Sequence, residues 1–135
     1  MSGTIGLIHG ELRWLVLLAA VVGVGRSAVA LARGGQFGRT DRMVRAVYNG
    51  LLDLQALYGV GLLVYLMVKF GVAPLWPRRI LHPGAMLIAV VVAHTARALG
   101  GTEDRRQLWA QLIGYVASCA VILGGVLIVQ NSWLS

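Results

Sequence analysis

Four long apolar runs, separated by short polar segments, dominate the pattern of hydrophobic and polar positions in this chain. They cover about residues 8–32, 47–68, 80–99 and 108–129. A helix of about twenty residues rises about 30 Å, which matches the hydrocarbon core of a membrane. The runs are continuous rather than alternating, which argues against a membrane β-barrel. The pattern therefore predicts an all-α fold, a four-transmembrane-helix antiparallel up-down-up-down bundle forming one integral membrane domain over residues 1–135.

The composition agrees with a membrane protein and leaves no room for a second, soluble domain. Hydrophobic residues make up 58% of the 135 residues, and charged residues make up only 13%. The net charge of +7 comes from cations beside the apolar runs, where they orient spans and meet anionic lipid. This charge is therefore not a sign of nucleic-acid binding. The single cysteine, Cys119, excludes an internal disulfide and a zinc site built from several thiolates.

The distribution of arginine and lysine predicts the orientation in the membrane. Eight cations fall on the side of the first and third connections, and four fall on the side that holds both termini. By the positive-inside rule, both termini are expected outside. The larger group is Arg26, Arg33, Arg39, Arg42, Arg45, Arg97, Arg105 and Arg106, and the smaller group is Arg13, Lys69, Arg78 and Arg79.

The connection between the first two runs is rich in glycine and arginine. Residues 33–45 are expected to form a loop, and Thr40 or Asp41 is expected to cap the helix that follows. Arg26, near the end of the first run, is expected to reach the membrane interface with its long side chain.

Ionisable side chains within the apolar runs are candidates for function, because they are costly in a membrane. His82 and His94 lie near opposite ends of the third run, about 18 Å apart along a helix axis. Antiparallel threading places His9, at the start of the first run, at the depth of His82. Two imidazoles from facing helices are the usual axial ligands of a b-type haem. His9 and His82 are therefore a candidate ligand pair, and Arg13 is placed to bind a haem propionate; the alternative is that both histidines are ordinary interfacial residues.

His94 belongs to a second candidate group near the opposite side of the membrane. Asp53 of the second run falls at its depth, and a His94–Asp53 or an Arg97–Asp53 pair would satisfy these groups structurally. The functional alternatives are a proton relay, a quinone-binding pair, or a ligand to a second haem. A second haem would need another ligand at that depth, and no further histidine exists.

Aromatic residues near the ends of the runs are expected to be interfacial. Tyr48, Tyr58 and Tyr65 could bond a quinone carbonyl, but tyrosine at span ends is also a normal interfacial-belt residue, and that interpretation is favoured. Trp76 and Trp133 are expected to be further interfacial anchors.

Three segments together resemble a family of small bacterial four-span proteins that are described as cytochrome b-like. The segments are IHGELRW in the first span, DLQALYGVGLLVY in the second and LHPGAMLIAVVVAH in the third. Leu81 departs from the pattern, in which an acidic residue precedes the histidine. The resemblance implies that the protein binds haem and lies in the bacterial cytoplasmic (inner) membrane. The positions that it carries over are His9, Arg13, Trp14, Asp53, Gln55, His82 and His94.

These observations predict a haem b-binding integral membrane electron-transfer subunit, with His9 and His82 as axial ligands and Arg13 and His94 as further cofactor-binding residues. The chain has no flavin or nicotinamide fingerprint and no iron–sulfur cysteine pattern. We therefore expect no enzymatic activity on its own, but electron exchange with a quinone pool or with other integral membrane subunits of a respiratory or photosynthetic redox complex. The alternative is a non-catalytic structural or accessory subunit that stabilises a larger energy-transducing complex.

Overall fold

Four long α-helices make up the part of the chain, residues 2–73 and 78–130, that the computed structural model describes. Each helix is long and apolar enough to cross a membrane, so this is a multi-pass membrane protein with the predicted all-α, four-helix architecture. The predicted anchors Trp76 and Trp133 lie outside the described residues. The helices are α1 (Ser2–Ala32), α2 (Arg39–Phe70), α3 (Arg78–Leu99) and α4 (Asp104–Gln130).

The four helices form a ring in which each packs against its two neighbours. Helix α1 contacts α2 and α4, and α3 contacts α4 and α2, whereas the diagonal pairs make few backbone contacts. Consecutive helices joined by short connections run antiparallel, which agrees with an up-down-up-down bundle. The α2–α3 seam is the least extensive of the four seams between neighbours.

The connection between α1 and α2 is shorter than the sequence predicts. The prediction of a loop over residues 33–45 is wrong, because α2 already begins at Arg39. The N–H of Gly38 donates a 2.9 Å hydrogen bond to one carboxylate oxygen of Asp41, so Asp41 stabilises the helix start from within the first turn. The other Asp41 oxygen accepts a 3.0 Å hydrogen bond from Arg26 Nε. Arg26 of α1 thus forms an ion pair with Asp41 of α2. Its side chain was predicted to extend to the membrane interface without a protein partner.

The bundle core on the side of the first connection is partly polar. Tyr48 is only 1% exposed, and its hydroxyl shares a hydrogen bond with the hydroxyl of Ser118 on α4. Its ring stands edge-on to Tyr115, with centroids 5.0 Å apart. Tyr48 is therefore a core residue, and its assignment to an interfacial belt is wrong. The physical reason is that Ser118 satisfies the phenol inside the bundle, so the side chain does not need to reach water.

Candidate functional site

His9 of α1 and His82 of α3 meet in the interior of the bundle, close to the end where α1 and α3 begin. Their ring centroids lie 6.2 Å apart, and the ring planes are perpendicular. Because α1 and α3 are diagonal members of the ring and make few backbone contacts, the imidazoles must reach toward each other between α2 and α4. The structure thus brings together the two histidines that antiparallel threading places at one depth.

Several polar atoms around the histidines are buried and lack hydrogen-bond partners. Nδ1 of His9, Nδ1 of His82 and the amide oxygen of Gln55 have no partner within the described residues. The amide nitrogen of Gln55 lies 3.4 Å from His9 Nε2, a long contact in which a neutral imidazole nitrogen accepts. Buried polar groups without partners are costly, above all inside a membrane, and their concentration at one point is typical of a binding site.

Two adjoining cavities lie against the histidine pair. The smaller has a volume of about 70 Å³ and extends along Gln55 toward Met86. The larger has a volume of about 420 Å³ and extends along the leucine side chains of α2 toward Arg79 at the start of α3. The larger volume lies within the range of small-molecule and cofactor sites. The residues that line both cavities are His9, Arg13, His82 and Val126.

The two helices that flank the histidine pair each carry a glycine at its level. A Cβ added to Gly59 of α2 would lie 3.2 Å from Cε1 of His9. A Cβ added to Gly125 of α4 would lie 3.4 Å from Nδ1 of His82 and 2.9 Å from Cβ of Ala85. Any larger side chain at either position would enter the space beside the imidazoles. The sequence indicates Gly59 only as a place where helices can approach closely, and neither glycine could be assigned to the histidine pair, because that depends on how each helix is rotated about its axis.

Two guanidinium groups lie at the larger cavity. Arg13 lines both cavities, and its guanidinium also lies over the ring of Trp14, 5.1 Å from the centroid. Arg79 lies three residues before His82 on α3, which places it about one turn away on a similar face. An anionic group bound in this cavity would therefore meet a cation from α1 or α3. Sequence analysis gave Arg13 as a candidate site residue but used Arg79 only to orient the chain, although its spacing from His82 was a usable signal.

His94 does not belong to this site. Its Nε2 lies 2.9 and 3.2 Å from the two carboxylate oxygens of Asp53 on α2. Of the two pairings that the sequence allows, the structure therefore forms the one between His94 and Asp53. The pair lies about 18 Å along α3 from His82, near the opposite side of the membrane.

The donor set of the central site limits which metal it could bind. Within residues 2–73 and 78–130, no group of three or more His, Cys, Asp or Glu side chains is placed to hold a metal ion. His9 and His82 supply two imidazoles, fewer than the three or four protein ligands that a zinc site takes. A haem iron needs only axial ligands from the protein, because the macrocycle brings the in-plane ones. Two imidazoles are thus too few for such a zinc site and are compatible with the two axial positions of a haem iron.

Comparison of the chain with protein-family models, with curated proteins and with solved structures finds no match. The cytochrome b-like resemblance therefore stays a prediction. The function is inferred from the geometry and chemistry of the histidine site.

Proposed function

We propose that the protein is a haem b-binding integral membrane electron-transfer subunit, with His9 and His82 as the axial ligands. The observation that carries this proposal is the meeting of the two imidazoles across the bundle, with centroids 6.2 Å apart. An imidazole nitrogen lies about 2 Å from a metal that it ligates, so two rings on opposite sides of one ion have centroids roughly 6 Å apart. The observed separation is compatible with both imidazoles binding one haem iron and supports the proposal.

The surrounding residues fit a haem. Nδ1 of each histidine is buried without a partner within the described residues, so both imidazoles have a nitrogen still to be satisfied. Gly59 and Gly125 keep the neighbouring helices from filling the space at the rings. Arg13 and Arg79 line the larger cavity and would pair with carboxylates there, because a guanidinium matches a carboxylate in charge and geometry.

A bound haem b supplies one-electron redox chemistry in the membrane. The chain's own residues hold and shield it: the histidines fix its position, and Val126 and the leucines of α2 keep the cavity apolar. Gln55 lies beside Nε2 of His9; with Nδ1 of His9 on the iron, the Nε2–H would donate to the amide oxygen of Gln55 and help to orient the ring. Under the proposed orientation, with both termini outside the bacterial cytoplasmic membrane, this site lies toward the outer face. Electrons would then be exchanged there with a quinone pool or with another integral membrane subunit.

Reduction by a quinol tests the electron-transfer part of this proposal. We expect duroquinol to reduce the haem-loaded, detergent-purified chain, with one quinol reducing two chains and releasing two protons. A His94→Ala variant separates the two sides of the membrane, because it keeps both proposed ligands and alters the pair that was the other candidate quinone site; it should be reduced as the wild type is. The measurement is the growth of the reduced absorbance band after mixing. If dithionite reduces the loaded chain but quinol does not, exchange with the quinone pool is contradicted.

A further inference from the structure

We propose that the outward face of α2 and α3 around the Asp53–His94 pair is an interface with a second copy of this chain. This inference does not depend on haem binding. The face, called here the α2–α3 face, is exposed on the bundle surface and combines the ion pair with apolar side chains. It consists of Asp53, Leu57, Val64, Leu87, Val91 and His94.

The first step is the depth of the ion pair in the membrane. Asp53 lies eight residues after Arg45 and sixteen before Lys69, which is about 12 Å and about 24 Å along α2. Cations such as these mark the two edges of the apolar region, and on α3 Arg97 follows His94 by three residues, about 4.5 Å, so the pair lies just inside one edge. A carboxylate at this depth is expensive wherever it faces hydrocarbon.

The second step is the exposure of the pair. The side chains of Asp53 and His94 hydrogen-bond to each other, yet they remain 46% and 44% exposed. Lipid chains cannot hydrogen-bond to the polar atoms that stay open. A neighbouring protein surface with a donor and an acceptor at the same depth would satisfy them.

The third step is the shape of the surrounding face. The exposed apolar residues lie four and eleven residues from Asp53 on α2, and three and seven residues from His94 on α3, so they form one continuous face. Leu57 is 68% exposed and Val91 is 63% exposed. Gly50 and Gly61 of α2 have open space where a Cβ would lie, so another helix can approach the backbone closely.

Charge complementarity indicates a second copy as the occupant. An acid on α2 and a base on α3 lie side by side at one depth. A two-fold axis parallel to the membrane normal leaves each residue of the two copies at the same depth in the membrane. It also places α2 of one copy opposite α3 of the other. Asp53 of each copy then faces the imidazole of the other, and no like charges of this pair meet. Such an isologous interface gives each carboxylate and each imidazole an additional partner.

Cysteine cross-linking between two differently tagged copies tests the interface in native membranes. Both copies carry Cys119→Ser, one carries Leu57→Cys, and the other carries Val91→Cys. We expect copper–phenanthroline to give a product that contains both tags. The matched control pairs Val21→Cys with Leu123→Cys, which are exposed in a groove of about 650 Å³ between α1 and α4. This control pair should give no doubly tagged product above background.

Three results would overturn the proposal. One is equal cross-linking by the two cysteine pairs, and another is the absence of doubly tagged product at every expression level. The third is a product formed with a different protein instead of the second tag. Haem content is measured on the same membranes as a separate readout, so that loss of the interface and loss of haem are distinguished.

An exchange of Asp53 and His94 tests the role of their hydrogen-bonded pair itself. We expect Asp53→Asn to lower the dimer association constant about tenfold, because two interhelical contacts per dimer are lost. The double variant Asp53→His with His94→Asp restores an acid opposite a base and should recover the association. Dimerisation in liposomes, measured by fluorescence transfer as the lipid-to-protein ratio is varied, gives the constants. Unchanged association in Asp53→Asn would overturn the proposal, and so would a double variant as weak as the single one.

Discussion

Replacing either histidine of the central pair with alanine is expected to lower haem retention at least about tenfold, because the iron loses an axial ligand. His9→Ala and His82→Ala should have the same effect, since the proposed site needs one ligand from each of two diagonal helices. Haem per chain is measured after purification, by absorbance against protein concentration. The circular dichroism of each variant shows whether the helical bundle is retained.

His94→Ala is the matched control for this prediction. It removes the same residue type from the same helix as His82, but about 18 Å away and from a different pair. We expect it to keep the wild-type haem content. Added imidazole should restore the low-spin spectrum to His82→Ala, since the small molecule enters the space that the side chain left. Wild-type haem content in both His9→Ala and His82→Ala would contradict the ligand assignment.

Gly125→Leu, which fills the space beside the histidines from α4, is expected to have the next largest effect on haem binding. A Cβ on Gly125 would already lie 2.9 Å from Ala85 Cβ and 3.4 Å from His82 Nδ1, so leucine there must displace one of them or enter the proposed haem site. Overpacking of this kind costs about 1–3 kcal/mol, which corresponds to about 5- to 150-fold weaker haem binding. The measurement is a titration of the purified Gly125→Leu chain with haemin.

The adjacent glycine provides the control. Gly124 has open space where a Cβ would lie, so Gly124→Leu should bind haemin as the wild type does. Because Gly125→Leu also presses on the α3–α4 contact, Gly59→Leu provides a second test from α2, where a Cβ would meet only His9. Its own control is Gly61→Leu, which faces open space. Wild-type binding in both Gly125→Leu and Gly59→Leu would contradict the placement of the cofactor beside the imidazoles.

The four helices could be predicted from the sequence because membrane thickness sets a minimum apolar length. Short connections then force antiparallel neighbours, and this alone places His9 and His82 at one depth. The helix ends were harder to predict. Helix α2 continues through polar residues to Arg39, where Asp41 accepts the Gly38 N–H and binds Arg26, an interaction that hydropathy does not register.

The lateral detail of the site could not be predicted from the apolar runs. Hydropathy gives depth, but it does not give the rotation of a helix about its axis when most faces are apolar. The inward position of Tyr48, the two glycines beside the histidines and the cavity at Arg79 all depend on that rotation. For the same reason, the sequence could not decide between His94 and Arg97 as the partner of Asp53, and in the structure the partner is His94.

The difference spectrum of the chain as isolated from membranes, dithionite-reduced minus oxidised, tests the central claim most directly. Pyridine haemochrome quantification on the same sample gives the number of haems per chain. The site at His9 and His82 predicts a sharp b-type α-band of a low-spin haem, at one haem per chain, since His94 is held by Asp53 at another depth. A flat difference spectrum from a folded chain expressed with sufficient haem would contradict the account and favour an accessory subunit without a chromophore.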